Sequence, residues 1–155
     1  MASHEPRLNF HAHAKQAAKA LTSLSLVAAA GLDARLHELV CLRVSQINGC
    51  AFCIDMHWAA LVAADMDPRH INAVAGWREA QRFFSDRKRA ALNWAEAVNA
   101  VPQRTPSDAD FDEVRQHFSD AEIAALSFAI CAVRSWNVLN ASFRTQVPET
   151  PWVAH

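Results

Sequence analysis

Four side chains suited to redox and proton chemistry lie within one stretch of twenty residues, ELVCLRVSQINGCAFCIDMH: Glu38, Cys50, Cys53 and His57. Cys50 and Cys53 stand three apart on the first turn of an expected helix, a separation at which a disulfide closes if the turn relaxes locally. They can therefore act as a dithiol. His57 lies four residues beyond Cys53, so imidazole and thiol share a helix face and the ring can take the thiol proton directly or through one water. Glu38 belongs to the preceding helix. A chain reversal at Asn48-Gly49 would bring its carboxylate back to the imidazole, which it would orient and charge. Two effects compete over which sulfur attacks: a helix amino terminus favours the thiolate most at Cys50, whereas the histidine acts most at Cys53. Spacing alone leaves that choice open. The thioredoxin rule, in which the first cysteine attacks, applies to a CxxC that follows a strand, and here a helix precedes it.

The elements that must position these residues are helices. Only three glycines and six prolines occur in 155 residues, and the long segments are rich in alanine, leucine, arginine and glutamate, which favour helix. Breakers and caps divide the chain. Gly31 and Asp33 end one segment and start the next, and Asn48-Gly49 interrupts just before Cys50. Asp67-Pro68 supplies a cap with proline at the first helical position, and Ser119 to Glu122 has capping-box spacing. The expectation is an all-α protein with helices near 10–30, 34–48, 50–65, 68–76, 86–100, 107–118 and 120–144. In 34–48 the stripe Leu36, Leu39, Val40, Val44 and Ile47 should be buried. The segment 120–144 is apolar nearly all round, from Ile123 through Leu126, Phe128, Ile130 and Val133 to Val138. It should therefore be central or lie at a subunit interface, which points to a homo-oligomer. The ending VPETPWVAH should be a non-helical tail over 145–155.

Composition excludes several classes. A chain of this length suits one folded unit over 1–155, with a core of about 30–144. Hydrophobic residues make up 52%, yet no stretch approaches the roughly 18 uninterrupted apolar residues of a membrane span. The start, MASHEPRLNFHAHAKQ, lacks the apolar core of a secretory signal, so no export and no membrane association are expected. A net charge of -1 with scattered basic residues leaves no electrostatic footprint for nucleic acid. Four cysteines (Cys41, Cys50, Cys53, Cys131) are few for a disulfide-stapled secreted domain. A reducing cytoplasm fits better, where paired cysteines mean redox chemistry or metal.

The spacing Glu-x11-Cys-x2-Cys-x3-His, formed by Glu38, Cys50, Cys53 and His57, resembles the alkylhydroperoxidase D-like (AhpD-like) branch of the carboxymuconolactone decarboxylase superfamily. The surrounding LRVSQINGC and the later FFSDRKRAALNWAEAV are similar to it as well, so the likeness covers most of residues 30–140. The resemblance implies an orthogonal bundle of about six to seven helices, completed by association into trimers or hexamers. It further implies a peroxidase acting on hydrogen peroxide or small organic hydroperoxides. Cys53 would be the peroxidatic cysteine, Cys50 the resolving one, and Glu38 with His57 the proton relay. A lipoyl-type or thioredoxin-like dithiol would act as reductant, and no metal or organic cofactor is required. Some members carry a further histidine immediately before the second cysteine, where this chain has Phe52.

The same residues admit other readings. Zinc wants four ligands, and Cys50, Cys53, His57 and Glu38 would make an unusual helical set for a structural site. Within the superfamily, a lactone decarboxylase would use histidine and glutamate without the thiols. A disulfide-switch sensor would use the thiols without turnover. Cys41 and Cys131 read as small core hydrophobes. His4, His11 and His13 read as a solvated helix, and His37, His70 and His117 as histidines without partners at ligand spacing. Trp58, Trp77, Trp94 and Trp136 read as core or interface aromatics, with Trp58 and Phe52 close enough in sequence to line a pocket. Ser45 and Asn48 read as cap or turn residues.

Overall fold

A computed structural model describes residues 5–151. The described residues hold eight α-helices and no strand: α1 (Phe10–His13), α2 (Lys15–Ala30), α3 (Ala34–Asn48), α4 (Ala51–Ala63), α5 (Pro68–Asn72), α6 (Asp86–Asn99), α7 (Asp108–Arg115) and α8 (Asp120–Phe143). A 3-10 turn, Ala73–Gly76, follows α5. The expected caps form. Asp33 accepts from the Leu36 amide at 2.9 Å, Asp67 accepts from Arg69 ahead of Pro68, and Ser119 and Glu122 exchange both bonds of a capping box. Each satisfies amides that the first helical turn leaves without partners.

α3 is the hub, packing against α4, α6 and α8. Its Leu36, Val40 and Val44 join Ala91, Trp94, Leu126 and Ile130 in one core cluster. Leu39 and Leu42, about 100° round the helix, join Leu61, Ile71, Val74, Phe84 and Leu92 in another. A helix buried on two sides is a rigid support for the side chains it carries. Ile47, expected to continue the buried stripe, is instead 45% exposed; in the last turn of α3 it is Ser45 and Asn48 that face α6 and α8.

Two further expectations are corrected. The segment 10–30 is two helices broken at Ala14, with Asn9 capping the short first one and Phe10 held against Phe143 and Trp136 of α8. Cys131 is exposed. It shares a stripe on α8 with Phe128 and Val138, each 57% exposed, while Leu126, Ile130 and Val133 on the opposite side enter the core. α8 has the length and mean hydropathy (1.3) of a membrane span, but it is the helix onto which α2, α3 and α6 fold. Gly31 permits a close approach to α8: a Cβ there would lie 2.8 Å from that of Ala125. After Arg144, residues 145–151 form no helix, as expected of the tail. The rest of the tail and His4 lie outside the described residues.

Candidate active site

α3 ends on Gly49 in the left-handed conformation, φ 69°, where a side chain costs roughly 1–2 kcal/mol. The Cys50 amide then reaches back to the Ser45 carbonyl at 3.1 Å, closing the helix as glycine caps do. This reversal makes Cys50 the N-cap of α4, its Sγ accepting from the Cys53 amide at 3.3 Å. Cys50 and Cys53 are joined as a disulfide with Cα atoms 5.3 Å apart, and both are buried, at 3% and 1% exposure.

A network of amides fixes the turn. Asn48 donates to the Oδ1 atoms of Asn99 and Asn137, each at 3.0 Å, and accepts from Asn99 in return. Asn137 donates to Ser45 Oγ at 3.0 Å. The ends of α3 and α6 are thereby tied to the C-terminal part of α8. One turn beyond Asn137, Asn140 donates its amide to Cys53 Sγ at 3.4 Å.

Glu38 meets His57 across the reversal: its Oε2 accepts from Nδ1 at 2.7 Å. Its Oε1 faces His37 Nδ1 at 3.1 Å, and His37 Nε2 lies 3.5 Å from Cys41 Sγ. One carboxylate thus bridges two imidazoles. Burial pushes the Glu38 carboxyl up, but the hydrogen bonds from His37 and His57 outweigh it and hold the group down at about 2. Burial likewise opposes a charge on His37. Contact with the Cys41 sulfur and with Glu38 overrides it and holds that imidazole up at about 10. In this disulfide form His57 bonds to Glu38, and no direct hydrogen bond joins it to either sulfur.

The four residues singled out from the sequence therefore lie on two adjoining helices, α3 and α4, with Glu38 and His57 in contact and the two sulfurs bonded. Reading the sequence missed His37 and Asn140. His37 had a signal, since it precedes Glu38 and stands four residues from Cys41 on the same helix. Asn140 comes from 87 positions away, and only its polarity on an apolar helix marks it. Trp58 is 41% exposed, which removes the core option from its reading as a core or interface aromatic, whereas Trp77 and Trp94 are buried. Among the described residues, no group of three His, Cys, Asp or Glu side chains is arranged to hold a metal ion.

This geometry can be set beside known proteins. Residues 11–97, more than half of the chain, match the carboxymuconolactone decarboxylase family. The chain belongs to that family. Within the family it lies in the AhpD-like branch. A solved structure from Agrobacterium tumefaciens, of unknown function and with a suggested role as the antioxidant defence protein AhpD, superposes with a TM-score of 0.90. It is 35% identical to this chain, and the match covers 94% of this chain and all of the other. The uncharacterised family relative YdfG of Bacillus subtilis is 35% identical over 100 residues, 64% of this chain and 67% of its own. The debrominase Bmp8, solved with 2,3,4-tribromopyrrole, superposes with a TM-score of 0.78 at 18% identity, over 89% of this chain and 74% of its own. That last likeness is one of fold alone.

Proposed function

We propose that the protein is a thiol-dependent peroxidase that reduces hydrogen peroxide or small organic hydroperoxides. The observation that carries this reading is the Cys50–Cys53 pair at the start of α4, on the helix whose His57 bonds to Glu38 at 2.7 Å. In the cycle, the Cys53 thiolate attacks the peroxide ROOH. The O–O bond breaks, an S–O bond forms, and a proton delivered through His57 and Glu38 leaves with the alcohol ROH. Cys53 becomes a sulfenic acid. The Cys50 thiol then condenses with it, releasing water and forming the disulfide. An external dithiol, lipoyl-type or thioredoxin-like, reduces that bond and is oxidised to its own disulfide. Neither metal nor organic cofactor enters the cycle. A cytoplasmic setting supplies such dithiols.

Burial of both sulfurs favours one other reading, a redox sensor whose disulfide forms once and does not turn over. Steady-state consumption of tert-butyl hydroperoxide by the reduced protein with excess dihydrolipoamide separates the two. A peroxidase continues through many equivalents, and a sensor stops after one.

The proposal includes self-association. The exposed α8 stripe of Phe128, Cys131 and Val138 is apolar enough to be covered by a second copy. Light scattering should give a multiple of the 17.1 kDa chain mass, falling to that mass in the Phe128→Glu, Val138→Glu double variant with helicity retained. A monomeric wild-type protein would refute the association.

A further inference from the structure

Each sulfur of the pair has one hydrogen-bond donor, and the two donors differ in kind. Cys50 receives the backbone amide of Cys53 at 3.3 Å, a contact belonging to the helix cap itself. Cys53 receives a side-chain amide, Asn140 Nδ2, at 3.4 Å from a different helix. Asn140 is buried and points this donor at a sulfur that is itself almost wholly withdrawn from water. A buried polar side chain is costly unless bonded, so this contact is a substantial part of what stabilises an asparagine in that place. When the disulfide opens, one sulfur holds negative charge. A bond from a neutral donor to an ionised acceptor is about twice as strong as one to a neutral acceptor, so the Asn140 contact gains strength only if the charge rests on Cys53.

We infer that Asn140 is a catalytic residue, the amide that stabilises the Cys53 thiolate and so selects that sulfur over Cys50 as the nucleophile. The inference deepens the peroxidase reading and rests on it for the word nucleophile, but the thiolate preference can be measured without any peroxide. The other titratable groups are Cys50 on the same turn, Asp55 and His57 further along α4, and on α3 Glu38, which bonds His57, with His37 beside it. From α8 the neighbours Asn137 and Asn140 are neutral amides; the nearest charges are Arg134, whose guanidinium donates to the Val101 carbonyl, and Arg144, just past the helix end. Asn140 is therefore the contribution of α8 to the balance between the two sulfurs. Its amide is held in register by the same helix turn that places Asn137 against Asn48 and Ser45.

The test uses the full chain with one sulfur at a time. In a Cys50→Ser background, the rate of Cys53 alkylation by iodoacetamide and the thiolate absorbance near 240 nm are followed against pH, with and without Asn140→Ala or Asn140→Asp. Asn140→Ala should raise the Cys53 thiol pKa by about one unit and slow alkylation at neutral pH about tenfold, with recovery at high pH. Asn140→Asp, nearly the same shape, should raise it further because its carboxylate repels the thiolate, and it decides the matter if the alanine variant does not fold. In a Cys53→Ser background, the same substitutions should leave Cys50 alkylation unchanged, which a general loosening of the site would not do. Unchanged Cys53 profiles in the folded variants, or equal slowing of both sulfurs, would overturn the inference. If wild-type protein consumes no hydroperoxide while the Cys53 profile still shifts, the peroxidase reading fails and the thiolate assignment stands.

Discussion

Cys53→Ser is expected to reduce hydroperoxide consumption to the uncatalysed background, whereas Cys50→Ser should complete one turnover and stop. The difference follows from unequal roles. Serine in place of Cys53 removes the atom that attacks the peroxide, and a hydroxyl cannot be oxidised in its stead. Serine in place of Cys50 leaves the attack intact but removes the thiol that clears the sulfenic acid. That variant should gain a single oxygen atom on Cys53, seen as one added oxygen by mass spectrometry and as labelling by a sulfenic-acid reagent. Helicity should persist in both, since Cys50 and Cys53 sit at a helix start whose turn is held independently by Gly49, Asn48, Asn99 and Asn137. Multiple turnovers in Cys50→Ser with a dithiol would show that an outside thiol clears the sulfenic acid and that Cys50 is dispensable. Full activity in Cys53→Ser would contradict the assignment of both roles.

Glu38→Gln should lower the rate about a hundredfold at neutral pH, the lower end of what positioned acid-base groups contribute, and should also flatten the dependence of stability on pH. The carboxyl of Glu38 is held at about 2 against its usual 4.5. Its stabilising contribution is thus complete above about 4.5 and disappears as pH falls toward 2. His37 is displaced the other way, from 6.5 to about 10. Its contribution is complete below about 6.5 and is lost progressively as pH rises through 10. The bridged arrangement therefore stabilises most between about pH 4.5 and 6.5. Near pH 6, Glu38→Gln should cost about 3 kcal/mol, as removal of one partner from a largely buried ion pair does. Denaturant unfolding from pH 2 to 8 checks this: the gap between wild type and variant should be widest near pH 6 and should close toward pH 2 as Glu38 takes up its proton. Parallel curves would mean that the two imidazoles draw nothing from Glu38.

Much of this arrangement could be read from local rules. Gly49, Asp33, Asp67 and Ser119 mark helix ends because each solves a hydrogen-bonding problem within a few residues of itself. The meeting of Glu38 with His57 followed from a single reversal between adjacent helices. What escaped was long-range or depended on which face a residue presents. Cys131 and Phe128 lie on a helix so uniformly apolar that its periodicity does not say which side meets the core. Asn140 reaches Cys53 only because α8 folds across the start of α4, and no spacing rule connects positions so far apart. His37 is the exception, since its partners Glu38 and Cys41 lie one and four residues away on the same helix, a spacing that serves hydrogen bonding and not metal ligation.

The central claim is catalytic turnover through the Cys50–Cys53 pair, and counting hydroperoxide consumed per chain tests it most directly. Reduced protein supplied with excess dihydrolipoamide should consume many equivalents, and Cys53→Ser should consume none above background. Consumption that ends at one equivalent, or that proceeds equally well without Cys53, would contradict the account.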